Sequence, residues 1–135
     1  RLNRLKIPHN CELLSNIPQS EHDKLLETFT CYAMTMLDTF GSSGHVRLSH
    51  AVHCGIPVVA TDIMALREYL ADNETALLIP QNDALALKKA LLRLMNDAAL
   101  RKRLADMARQ RSEAWTREQY FLEISRQVKE MVAPN

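Results

Sequence analysis

The stretch "GSSGHVRLSHAVHCGIPVVATD", Gly41 to Asp62, holds all three glycines of the chain and three of its five histidines. Gly41-Ser42-Ser43-Gly44 runs directly into a helical pattern at His45, Val46 and Arg47. A helix N-terminus offers free backbone N–H groups and a dipole that favour an anion, so the loop suggests a phosphate site. It is neither GxGxxG nor a Walker loop, because no lysine followed by serine or threonine comes after a second glycine at the required spacing. Taken alone, two glycines and two serines also suit a plain connector with an N-cap.

The histidines could add to this chemistry. His45 stands at the helix start, where it could face a phosphate, and Arg47 could reach one or be solvated. His50 and His53 are three residues apart on the helix, but no carboxylate or cysteine stands at ligand spacing, so no metal site is expected. Cys54 reads as a small apolar residue packing the helix end rather than as a nucleophile.

These residues need elements to position them. "NCELLSNI" has the short apolar character of a strand closed at Ser15-Asn16, and Pro18 and Ser20 set up a helix start with Leu25, Leu26 and Phe29 as its stripe. "CYAMTML" reads as a second strand. "HVRLSHAVHC" is a helix with Val46, Ala51 and Val52 at helical spacings, stopped by Gly55 and Pro57. "IPVVATD" is apolar and β-branched throughout, as expected for a strand buried on both faces of a parallel sheet.

"IMALREYLAD" follows as a short helix and "ETALLIP" as a further strand, giving four strands in an α/β alternation. The loop after "CYAMTML" lies at the carboxyl end of a strand, where open α/β sheets place ligands. From Asp83 the pattern is helical only: Leu87, Leu91 and Leu94 form one stripe, and Leu100, Leu104 and Met107 another after Asn96-Asp97. Thr116 and Gln119 form a capping box for a third helix carrying Tyr120, Ile124 and Val128.

Composition excludes some classes of function. A chain of 135 residues is the size of one domain and can bury a real core. Seventeen basic and sixteen acidic side chains nearly cancel, which gives no field for nucleic acid, and no nucleic-acid partner is expected. Three widely spaced cysteines without a CxxC suit a reducing compartment, and no apolar run reaches the length of a membrane span. A cytoplasmic location is expected. The chain opens "RLNRLKIPHN" without an initiating methionine, and we expect a fragment of a longer protein.

Taken together, "GHVRLSHAVHCGIPVVATD", "LREYLADNETALLIPQND", "ALKKALLRLMNDAALRKRLADMARQR" and "WTREQY" resemble the carboxy-terminal donor-binding lobe of a GT-B fold nucleotide-sugar glycosyltransferase. The group resembled is the large retaining-type family (group 1, family 4-like), whose lobe reads EGFGLxxxEAMAxGxPVVAT, then REivxdgxtGxLvpxxD, then a helix with xLxxDxxLRxxLxxxAR. The resemblance runs from about Asn10 to Val132. It implies a Rossmann-like open parallel sheet with flanking helices, an incomplete GT-B carboxy-terminal lobe. Residues 1–135 would be part of the nucleotide-sugar-binding domain, with a core at 10–83 and a helical carboxy-terminal segment at 84–132.

In that family the glycine-loop amides and the helix start hold the donor's diphosphate and sugar. Two glutamates separated by seven residues hold sugar and ribose hydroxyls. Those positions fall here on Ser42 and His50, and neither is a glutamate. A carboxylate gives a charge-assisted hydrogen bond of about 1.5–3 kcal/mol, against about 0.5–1.5 for a neutral serine or imidazole, so donor recognition should be weaker or differently arranged.

The donor-binding set expected from the resemblance is Ser42, Ser43, Gly44, His45, Val46, Arg47 and His50. His50 reads equally as a helix histidine with one nitrogen bonded to backbone. Gly44 and His45 stand where the family has Phe and Gly, and Asp38-Thr39 where it often has Pro-Ser. Arg67-Glu68 matches the family's "RE", and a local ion pair there is the simplest reading.

The resemblance implies transfer of a sugar from a nucleotide diphosphate donor to an acceptor, with retention and without a cofactor or metal. Catalysis would need the acceptor-binding N-terminal lobe, because the reaction occurs in the cleft between lobes. This piece alone would be inactive, and any peripheral membrane contact would come through the missing lobe. The alternative is a degenerate or half-size module that binds a nucleotide sugar or a partner subunit without catalysis. A flavodoxin-like signalling module would need an acidic cluster at a strand end, and Asp38 has no acidic neighbours.

Overall fold

The computed structural model describes residues 8–37, 44–113 and 117–132. In chain order its elements are α1 (Gln19–Leu26), β1 (Tyr32–Met34), α2 (His45–His53), β2 (Val58–Thr61), α3 (Met64–Arg67), β3 (Leu77–Ile79), α4 (Ala84–Asn96), α5 (Ala98–Ser112) and α6 (Arg117–Val132). The three strands form one parallel sheet in the order β1-β2-β3, with Ala33 opposite Val59 and Ala60 opposite Leu78. β2 is therefore internal, as its unbroken apolar run predicts.

Alternation along β2 divides the core into two layers. Val58 and Ala60 face Leu48 and Val52 of α2, together with Ile63, Leu66 and Leu70. Val59 faces the other way, against Leu77 and Ile79 of β3, Ala90 and Leu94 of α4, and Leu100 and Leu104 of α5. Val58 and Val59 are both completely buried, which is what helices on both faces of a parallel sheet require. α5 reaches from one layer to the other, since its Ala108 packs in the Val58 cluster.

The helix boundaries follow local chemistry. Gly55 adopts φ +71° and closes α2: its N–H donates to the Val52 carbonyl and the Ile56 N–H to the Ala51 carbonyl, both at 3.0 Å. This satisfies orphan carbonyls at the helix end, and Ile56 packs with Ala51 beside it. Asp83 caps α4 by accepting from the Ala86 N–H, and Asp97 caps α5 by accepting from the Leu100 N–H, each at 2.8 Å.

Several sequence expectations are corrected. Among the described residues there are three strands, not four: residues 11–18 carry no ladder, and Leu13 and Leu14 are exposed. A run of β-like residues gains nothing as a strand unless a neighbour takes up its hydrogen bonds. α1 starts after Pro18 rather than at a serine cap, which leaves Ser20 inside the helix. Met107 is partly exposed although Leu100 and Leu104 of the same stripe are buried, and Ile124 and Val128 of α6 are exposed. Thr116 of the expected capping box lies outside the described residues. No helix among the described residues is long and apolar enough to cross a membrane.

Candidate functional site

α2 begins at Gly44, which holds φ +93° in the left-handed region. A Cβ there would sit 2.8 Å from Cε of Met34, the last residue of β1. The positive φ selects glycine, and the helix start is set close against the carboxyl end of the first strand. Among the described residues no side chain caps this end, and its first turn contains no acidic residue. The first N–H groups of a helix have no intrahelical acceptor, so this end combines free donors with the positive end of the dipole.

Beside it lies a cavity of about 340 Å³ lined by Gln19, His22, Gly44, Val46, Arg47 and His50. Four of the residues expected from the sequence thus share one cavity. Ser42 and Ser43 lie outside the described residues. The His45 side chain turns toward α3, with Nε2 3.3 Å from the Ala65 carbonyl oxygen and its ring edge-on to Tyr69 at 5.2 Å. Its contribution at the helix start is therefore its backbone N–H. His53 is exposed, and its Nδ1 lies 3.0 Å from the Ser49 carbonyl oxygen within the helix.

His50 is two-thirds buried, and its Nδ1 lies 3.3 Å from Oδ1 of Asp23 on α1. The same oxygen accepts a hydrogen bond from Nε2 of Gln19 at 2.6 Å. The sequence offers Asp23 only as a helix-capping partner of Ser20, and gives neither it nor Gln19 and His22 as site residues. They precede His50 by more than twenty residues, and only the crossover through β1 brings α1 beside α2. The carboxylate that the His50-His53 spacing lacked comes from that neighbouring helix.

A second cavity, of about 430 Å³, opens at the carboxyl ends of all three strands, among Thr35, Met36, Thr61, Ile79, Pro80 and Asn82. Its floor is tied across strands: the Met36 N–H donates to Oγ1 of Thr61 at 2.9 Å, and Nε2 of Gln81 donates to the Leu37 carbonyl at 3.1 Å. This is the edge where ligands enter open α/β sheets.

Just beyond β2, Arg67 forms a two-point pair with Asp62 at 2.6 and 2.8 Å. The sequence suggested a local pair with Glu68, but the turn into α3 brings the guanidinium back over the end of β2. The hydrogen bonds from Arg67 hold the Asp62 carboxyl below its usual range despite some desolvation, and Arg67 is raised in turn.

The cysteines are free thiols. Burial pushes Cys31 up against a weaker opposing pull from Arg101, which makes it a poor nucleophile. Cys54 is exposed rather than packed at the helix end.

Comparison with known proteins matches the chain to one group. Residues 1–111 match the family model of the glycosyl transferases group 1. The chain is 41% identical over 63 residues to a phosphatidyl-myo-inositol mannosyltransferase of Mycobacterium leprae, a match covering 47% of this chain and 17% of that protein. Its fold is similar to that of a sucrose-phosphate synthase from Thermosynechococcus elongatus, with a TM-score of 0.57 and 30% identity over 68% of this chain and 22% of that one. The chain thus spans about a fifth of the length of these relatives. The three-stranded parallel sheet with its flanking helices is the Rossmann-like lobe of the GT-B fold, and the chain belongs to the glycosyl transferases group 1 family.

Proposed function

We propose that this chain is the donor-binding lobe of a glycosyltransferase that moves a sugar from a nucleotide diphosphate to an acceptor held by a further lobe. One observation carries the reading: the start of α2, set by Gly44 at the carboxyl end of β1 and not capped by any described side chain, opens beside the cavity that contains Arg47 and His50. A diphosphate there would accept from the N–H groups of Gly44, His45 and Val46, with Arg47 as the mobile counter-charge. The same donors would stabilise the charge that grows on the departing nucleoside diphosphate as the sugar–oxygen bond breaks.

His50 takes the position at which the family resemblance implies a glutamate. As a donor or acceptor to a ribose hydroxyl it contributes a neutral hydrogen bond, with Asp23 orienting the ring. The acceptor lobe supplies the opposite wall of the cleft and excludes water when the site closes. The mannosyl group in the name of one relative makes a hexose the first sugar to test.

The test is a transfer and hydrolysis assay of the full-length protein against a panel of UDP-, GDP- and ADP-hexoses, with the binding of each measured by calorimetry. Release of one nucleoside diphosphate with a matching affinity supports the reading. Failure to bind any member of the panel contradicts it.

A further inference from the structure

We propose that His22, Asp23 and His50 form a binding site for a borderline divalent cation of the zinc class, at the junction of α1 and α2. One ligand atom from each lies within 4.8 Å of the others. Oδ1 of Asp23 is 3.6 Å from Nδ1 of His22 and 3.3 Å from Nδ1 of His50. Nitrogen and oxygen ligands held about 2.0–2.2 Å from a tetrahedral ion are about 3.4 Å from one another, so the two separations from Asp23 fit a common ion, and the two imidazoles, within 4.8 Å of each other, close onto it by a side-chain adjustment.

The second observation concerns His22. Its Nδ1 is shielded from solvent and has no hydrogen-bond partner among the described residues. At 3.6 Å the Asp23 carboxylate is too far to serve as one. A buried imidazole nitrogen without a partner loses its hydration for nothing in return, and a metal ion supplies the missing interaction. Gln19 donates to Asp23 Oδ1 at 2.6 Å, the kind of outer contact that fixes a ligating carboxylate.

Two imidazoles and one carboxylate suit zinc, cobalt or nickel rather than magnesium or calcium, which take oxygen ligands. Three protein ligands leave a fourth position for water or an anion, and the 340 Å³ cavity lined by His22 and His50 has room for it. Arg47 lines the same cavity and opposes a second cation, which weakens binding. The ion would share His50 and its cavity with the proposed donor site, but two of its ligands lie on α1 and the ion is titrated with no nucleotide present, so the two readings fail separately.

The test is titration of the chelator-stripped, full-length protein with Co²⁺, read by its d–d absorption, and with Zn²⁺ by competition. One ion per chain is expected. His22→Ala, Asp23→Asn and His50→Ala should each weaken binding at least tenfold, while His53→Ala on the exposed side of α2 leaves it unchanged. Equal affinity in the wild type and the His22→Ala variant overturns the proposal, as does a thiolate charge-transfer band reporting the exposed Cys11 or Cys54 instead. Paramagnetic broadening in the wild-type protein needs no variant: loss of the His22 and His50 ring signals ahead of those of His9 and His53 supports the site, and uniform loss overturns it.

Discussion

Nδ1 of His50 and Oδ1 of Asp23 lie 3.3 Å apart, joining the helix that follows the glycine loop to the helix that precedes the first strand. Both side chains are partly exposed, at 33% and 40%. The contact therefore orients an imidazole at the edge of a cavity without committing it to the core.

The first prediction follows from that exposure. In chelator, His50→Ala should weaken nucleotide binding about two- to tenfold, the loss of one neutral hydrogen bond of about 0.5–1.5 kcal/mol. Stability should fall by no more than about 1 kcal/mol, because the pair with Asp23 is partly in solvent and screened. Calorimetry and a urea midpoint on the same variant separate the two effects. Lost stability with unchanged affinity would remove His50 from the donor site.

Gly44 gives a second prediction. Gly44→Ala forces φ +93° on a residue with a Cβ and presses that carbon toward Cε of Met34. The left-handed backbone alone costs about 1–2 kcal/mol, while the methionine terminus can swing aside. Thermal denaturation should show the loss. Met34→Ala in the same chain should fail to restore stability, since it relieves the crowding and leaves the backbone strained.

Much of this fold is legible in the sequence, for reasons tied to particular residues. "IPVVATD" announces itself because a strand covered on both faces is apolar along nearly its whole length, and Gly55 and Pro57 mark the stop before it. Asp83 and Asp97 mark helix starts by their side-chain chemistry. "NCELLSNI" misleads because strand character depends on a neighbour that a linear reading does not supply. The sequence points to the start of α2 as the proposed anion site, but not to the α1 residues beside it. No periodicity or motif links Gln19, His22 and Asp23 to His50, and only the crossover through β1 joins them.

The core offers a third prediction. Leu94 is completely buried among Val59, Leu77, Leu100 and Leu104, so Leu94→Ala should cost about 2–5 kcal/mol. Leu92, two residues earlier and 45% exposed, should cost less than about 1 kcal/mol when replaced by alanine. Equal effects in chemical denaturation would contradict the helix register assigned to α4.

The fourth prediction concerns acid. Arg67 depresses the Asp62 pKa in the folded chain, so folded Asp62 holds its proton less readily than unfolded Asp62 does. The stabilisation is present above the ordinary aspartate pKa of about 3.9 and is lost as pH falls through the lower folded value. The pair is exposed to solvent and screened, so the effect is small and weakens in high salt. Asp62→Asn should flatten the fall in stability below about pH 4 seen in the parent, measured by denaturant midpoints across an acid series.

The most direct measurement is an amide chemical-shift map of the isotopically labelled full-length protein titrated with nucleoside diphosphates. A diphosphate held at the start of α2 predicts that the N–H signals of Gly44, His45 and Val46 move first and furthest, with the Arg47 side chain following. Saturable binding that shifts other residues and leaves these three amides unmoved would contradict the assignment of the donor site.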